Sequence, residues 1–207
     1  MIGPYEGLPT SGGGQTVGVF GGSFNPPHAG HRHVAQTALA RLRLSALWWL
    51  VSPGNPLKTH DELAGLPQRL DAVAALARHP KMRVTAAEAA LGTRYSADVV
   101  RHLAARRPEV RFVFVIGADN LLTFHKWQEW RAIFATMPVA VVSRPSAPLA
   151  AIRAPAARAF AAARIDESDA PRLAHARPPA WVFLNAPLKP VSSTDLRRRR
   201  RAFAPAS

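Results

Sequence analysis

The stretch Val17-Gly18-Val19-Phe20-Gly21-Gly22-Ser23-Phe24-Asn25-Pro26-Pro27-His28-Ala29-Gly30-His31 decides how the rest of the chain is read. A short apolar run ends in paired glycines, two prolines follow, and two histidines three residues apart open a helical pattern. That is the order of a strand, a tight turn and a helix start. Gly21 and Gly22 let the backbone come close to a ligand with no Cβ in the way. The unsatisfied N–H groups at the start of the next helix attract anions. His28 and His31 share one face of its first turn, and each imidazole can donate to a phosphate oxygen. The stretch predicts a phosphate site at a strand-to-helix turn.

Working outward, Thr16 to Phe20 is the first strand, and Val34, Ala35, Ala38, Leu39 and Leu42 keep helical spacing from His28 to about Leu44. Ala46 to Val51 follows as a buried strand, closing a βαβ unit, which demands parallel pairing and a right-handed crossover. Further strands are predicted at 82–85, 111–116, 139–143 and 181–184, with helices from Leu66, opened by Pro67, from Ser96, and over 151–164. Arg111 to Ile116 is apolar nearly throughout and predicts a central strand covered on both faces. The fold class is α/β, a Rossmann-like doubly wound parallel sheet in a single domain. Residues 1–15, with Gly12-Gly13-Gly14, are expected as a flexible tail and 16–207 as the folded domain.

Several positions carry both a chemical and a purely structural reading. Lys58, in the turn-rich loop 52–58 beyond the second strand, lies where α/β sheets bind ligands, but a solvated loop lysine is the plain alternative. Ser96 suits a helix cap. Asp119, in the glycine turn Gly117-Ala118-Asp119-Asn120, suits either ribose hydroxyls or a cap. Trp127 and Trp130 lie on an amphipathic segment, where an indole is either core or a stacking surface for a cationic ring. Val191-Ser192-Ser193-Thr194-Asp195-Leu196-Arg197 places hydroxyls and an arginine at a helix start, a second anion site or a simple N-cap.

Composition sets outer bounds. The chain has 207 residues and no cysteine, so disulfides, zinc–thiolate sites and thiol nucleophiles are excluded. No apolar run is long enough to cross a bilayer, and Met1 to Gln15 has neither a basic start nor an apolar centre, so a cytoplasmic protein is expected. The net charge of +14 favours polyanions, yet five of those charges sit in Arg197–Arg201 and the others are scattered without interleaved aromatics. Nucleic acid is therefore not the expected partner.

Gly21-x-Ser23-Phe24-Asn25-Pro26-Pro27-His28-x-Gly30-His31 resembles the Gly-x-Phe-x-Pro-x-His-x-Gly-His motif of the nucleotidyltransferase superfamily. Its Gly-Gly-Ser-Phe-Asn-Pro-Pro-His-x-Gly-His form is similar to that of the bacterial nicotinate-nucleotide adenylyltransferases. Pro53-x-x-Pro56-x-Lys58, Ile116-Gly117-Ala118-Asp119 and Phe124-x-x-Trp127 resemble further family segments, as does Ser192-Ser193-Thr194-x-Leu196-Arg197. Tyr95-Ser96-Ala97-Asp98 resembles the family's Tyr-Thr element, with Ser96 and Asp98 in place of its threonines.

The resemblance implies adenylyl transfer from ATP to nicotinate mononucleotide, giving nicotinate adenine dinucleotide and pyrophosphate, with Mg²⁺ carried by ATP and no protein metal site. It implies His28 and His31 as the catalytic pair. Gly21, Gly22, Ser23, Phe24, Lys58, Gly117, Asp119, Ser193, Thr194 and Arg197 would hold ATP and its phosphates. Asn25, Tyr95, Ser96 and Trp127 would hold the mononucleotide. The competing readings are the same chemistry on nicotinamide mononucleotide or phosphopantetheine, and a basic nucleic-acid-binding protein on the same fold.

Overall fold

The computed structural model describes Tyr5 and residues 7–54, 63–143 and 148–186. Its strands are β1 (Thr16–Gly22), β2 (Ala46–Val51), β3 (Met82–Thr85), β4 (Arg111–Gly117), β5 (Val139–Val142) and β6 (Trp181–Leu184). They form a six-stranded sheet in the order β3-β2-β1-β4-β5-β6, with every neighbouring pair parallel. This bears out the doubly wound expectation. Strand order reverses between β1 and β4, so the chain leaves their carboxyl ends in opposite directions and opens a crevice there.

Side chains alternate across β1, as a strand requires. Val17 and Val19 join a core layer built with α4 (Ser96–Arg106), α5 (Ala118–Thr123) and α6 (Trp130–Thr136). Phe20 joins the opposite layer, built with α1 (Ala29–Arg41), α2 (Leu66–Leu76) and the 3₁₀ turns of Glu167–His175. β4 is buried along six of its seven residues, as expected of a strand covered on both faces. A short α3 (Ala87–Ala90) follows β3.

One sequence expectation needs correction. The helix expected over 151–164 is two short ones, α7 (Pro148–Ile152) and α8 (Pro155–Ala159), followed by a 3₁₀ turn at Ala161–Ala163. Pro155 is the cause: it forces Ala154 to extended backbone (φ −60°, ψ 151°) and starts a new helix at its own first position. The chain before β1 also makes contacts. Its described residues are tied to the body: the Ala86 amide donates to the Tyr5 carbonyl (2.9 Å), Thr85 Oγ1 to the Gly7 carbonyl (2.6 Å), and the Gly14 amide to the Glu109 carbonyl (2.8 Å).

Gly18 is demanded by packing. A Cβ there would lie 2.7 Å from Leu44 Cδ1, a buried methyl between α1 and the sheet. Gly18→Ala is expected to lower stability by about 1–3 kcal/mol through overpacking, measured by chemical denaturation.

Candidate active site

The carboxyl end of β1 turns sharply into α1. Gly22 leaves room for the Phe24 ring, which a Cβ would meet at 3.1 Å. Phe24 itself takes left-handed backbone (φ +45°) and buries its ring edge-on to Phe20 (5.3 Å) and His31 (5.0 Å). The ring is only 2% exposed, so it supports the turn from below and presents no side chain to a ligand. A contact of Phe24 with ATP would therefore run through its backbone.

The two histidines build the helix start. His28 is the N-cap of α1, and its Nδ1 accepts the Gly30 amide (3.0 Å). The His28 amide in turn donates to His31 Nδ1 (3.2 Å), completing a capping box made of two imidazoles. Their ring centroids are 3.9 Å apart, which bears out the expectation of one shared face. With both Nδ1 atoms acting as acceptors, the hydrogen-bond pattern assigns the proton of each neutral ring to Nε2.

Beside this turn lies a cavity of about 180 Å³ lined by Gly21, Gly22, Ser23, Ser52, Glu88, Arg94, Tyr95, Ser96, Lys126, Trp127 and Gln128. It brings together the predicted glycine turn, the Tyr95-Ser96 element and Trp127 from three distant parts of the chain. Trp127 packs one face of its indole near Phe124 (centroids 4.8 Å apart, planes 34° apart) and is partly exposed, whereas Trp130 is buried against Phe160 as expected of core. Ser96 is not the cap that its position suggests. Tyr95 occupies the N-cap of α4 without a side-chain cap bond, and Ser96 Oγ instead lies 3.5 Å from Glu88 Oε1.

Gly117 and Asp119 stand at the carboxyl end of β4, the strand next to β1. Gly117 is the N-cap of α5, and Asp119 sits one step into its first turn, so the alternative of an Asp119 cap is not realised. Neither residue lines the cavity, nor does Asn25, whose Oδ1 accepts the Ala64 amide (3.3 Å). His28 and His31 do not line it either. Lys58, Ser193, Thr194 and Arg197 lie outside the described residues.

Two buried charged residues that sequence reasoning missed stand behind the cavity. Arg69, on α2, is 2% exposed and donates to four carbonyls: Ser23 (2.8 Å), Ser52 (2.7 Å), Pro53 (3.0 Å) and Ala64 (2.8 Å). One guanidinium thus fastens the β1 turn, the β2 exit and the start of α2 to each other, using the fixed fork of donors that only arginine has. Glu88, on α3, is 1% exposed. Burial pushes its carboxyl up to about 7, against the opposing pull of Ser52, Ser96 and Arg69. The only sequence signal for Arg69 was an arginine at a core-facing helical position, next to Leu70 and Val73.

Comparison with known proteins fits this geometry. Residues 19–199 match the family model described as cytidylyltransferase-like. A protein of Rhizobium meliloti (strain 1021), named "Probable nicotinate-nucleotide adenylyltransferase", is 55% identical over 181 residues, covering 87% of this chain and 96% of its own. One of the same name from Methylorubrum extorquens (strain PA1) is 54% identical over 183 residues, covering 88% and 99%. Among solved structures, the Plasmodium falciparum nicotinic acid mononucleotide adenylyltransferase complexed with APC superposes with a TM-score of 0.65 at 16% identity, over 89% of this chain and 83% of that one. The same enzyme complexed with NaAD gives 0.62 over the same shares. At that identity the likeness is one of fold.

Two substitutions separate support from contact. Arg69→Met leaves four carbonyls without their donor and is expected to cost about 3 kcal/mol or more, read by denaturant unfolding. A Cβ on Gly21 meets nothing in the protein closer than Phe114 at 3.8 Å, an ordinary contact. Gly21→Ala is therefore expected to leave stability within about 1 kcal/mol of wild type while raising the KM of a ligand that approaches this backbone. A large loss of stability in Gly21→Ala would show that the glycine serves packing.

Proposed function

The chain belongs to the cytidylyltransferase-like family, and from its nicotinate-nucleotide adenylyltransferase relatives we infer the reaction: it transfers the adenylyl group of ATP to nicotinate mononucleotide, giving nicotinate adenine dinucleotide and pyrophosphate. The observation that carries this reading is the cavity in which the β1 glycine turn faces Tyr95, Ser96 and Trp127. It pairs a backbone surface suited to phosphate with an aromatic slot suited to a pyridine ring.

The chemistry asks little of the protein beyond placement and charge. The mononucleotide phosphate is already an anion. One of its oxygens attacks the α-phosphorus of ATP in line, and the bond to the bridging oxygen breaks as pyrophosphate leaves. No protein base and no covalent intermediate are required. His28 and His31 supply Nε2–H donors to the oxygens of the transferring group, preorganised because the capping box fixes both rings before substrate arrives. Asp119 is assigned to the ribose hydroxyls, and Lys58, Ser193, Thr194 and Arg197 to the flanking phosphates, on family resemblance alone.

The family generally uses a divalent cation. Among the described residues no group of three or more His, Cys, Asp or Glu side chains could hold one. Mg²⁺ would enter with ATP, bound to its phosphates as their counter-ion. The cytoplasm, where ATP and mononucleotides meet, is the compartment this reaction implies. Among the described residues, no helix is long and apolar enough to cross a membrane.

Pyrophosphate release with ATP and a panel of nicotinate mononucleotide, nicotinamide mononucleotide and phosphopantetheine tests the assignment. Fastest turnover is expected with the nicotinate form. Release with none of the three, together with salt-sensitive RNA binding, would replace the reading with that of a nucleic-acid-binding protein. His31→Ala is expected to lower kcat about a hundredfold or more, as loss of a transition-state donor does, while costing about 1 kcal/mol of stability through the lost cap. His31→Gln retains a capping-box residue type at that position and should recover the stability without the turnover.

A further inference from the structure

Glu88 has no part in phosphate transfer, yet it is the acid buried at the wall of the cavity. Its Oε1 lies 3.5 Å from Ser96 Oγ, and the Ser52 hydroxyl, which donates to the Gly54 carbonyl (3.1 Å), stands beside the same carboxyl. Ser96 stands in front of it, partly exposed and lining the same cavity, and its hydroxyl is not spent on capping α4. A serine hydroxyl has one proton and two lone pairs, so what it offers a ligand depends on what it offers its neighbour.

We propose that the Glu88–Ser96 pair is a polarity switch that selects the acceptor ring, with Glu88 as a positioning residue acting through the Ser96 hydroxyl. When Glu88 is neutral, its carboxyl O–H donates to Ser96 Oγ, and the serine proton turns into the cavity to donate to a ring carboxylate. When Glu88 is ionised, Ser96 donates backwards to it and presents lone pairs, which suit the N–H₂ of a ring carboxamide. The same hydroxyl thus favours nicotinate in one state and nicotinamide in the other. This rests on the reading of the cavity as the acceptor pocket.

Among the described residues, the titratable and charged groups around Glu88 are few. Arg69 stands behind it on α2. Arg94 and Tyr95 come from the segment before α4, and Lys126 from the segment after α5. Asp98 on α4 is engaged with Thr93 (2.7 Å) and Arg101 (3.4 Å). Burial outweighs the cationic Arg69 and leaves the Glu88 carboxyl near 7, so the neutral form prevails below neutrality and the ionised form above it.

The experiment measures kcat/KM for nicotinate mononucleotide and for nicotinamide mononucleotide, each with ATP, from pH 5.5 to 8.5. Their ratio cancels titration of the shared phosphates and of ATP. In the wild type the nicotinate preference is expected to fall about tenfold as pH rises through 7, the worth of one reversed hydrogen bond, with the change mainly in KM. In Glu88→Gln and in Ser96→Ala the ratio should be flat across the same range. A wild-type ratio that does not change with pH overturns the switch while leaving the adenylyl-transfer reading intact. Pyrophosphate from neither acceptor at any pH overturns both. If Glu88→Gln does not fold, the wild-type ratio and the Ser96→Ala profile still decide.

Discussion

β1 is hydrogen-bonded along both edges, to β2 from Val17 to Gly22 and to β4 from Thr16 to Phe20. That double parallel pairing is the constraint on which the site depends. Parallel neighbours on both sides mean the chain must leave the top of β1 for a crossover helix and return from the far side through β4. The carboxyl ends of β1 and β4 then stand side by side, one carrying the Gly21–Gly22 turn and the other Gly117, with no crossover filling the gap between them. Gly18 keeps α1 close enough for the arrangement to pack, since Leu44 already occupies the space that a side chain would need.

The walls of that gap are loops, and loops need fastening. Arg69 does this with a single buried cation, drawing Ser23, Ser52, Pro53 and Ala64 to one point. The arrangement also explains why a carboxyl can be buried nearby. Glu88 shares the interior with a guanidinium, and the attraction between them offsets part of the cost of removing both from water. Burial still dominates for Glu88, which is why an acid at this depth has two accessible protonation states near neutral pH.

The sheet was legible in the sequence because buried parallel strands are short apolar runs and helices are periodic. All six strands fall where apolar runs predict them, and the glycine turn, the two histidines and Trp127 were visible as motifs. What was not legible depends on distances between remote residues. Nothing local distinguishes Glu88, the single polar residue in the short run Ala86-Ala87-Glu88-Ala89-Ala90, from a surface acid. Ser96 looks like a cap because serine before a helix usually is one, but the backbone at Tyr95 takes that place. Phe24 looked available because it sits inside the motif, and only packing against Phe20, Trp49 and His31 buries it. Pro155 shows the converse: a local signal that breaks the helix despite the alanines around it.

The placement of the indoles has an optical consequence. The chain carries five tryptophans. Trp48, Trp49 and Trp181 are sealed in the core and Trp130 is nearly so, which leaves Trp127 as the one whose ring borders the cavity. An aromatic ligand stacked there would perturb one emitter against four constant ones. On the proposed reading, Trp127 is a built-in fluorescent gauge of acceptor occupancy, and no label is needed to follow loading of that half of the site independently of the transfer step.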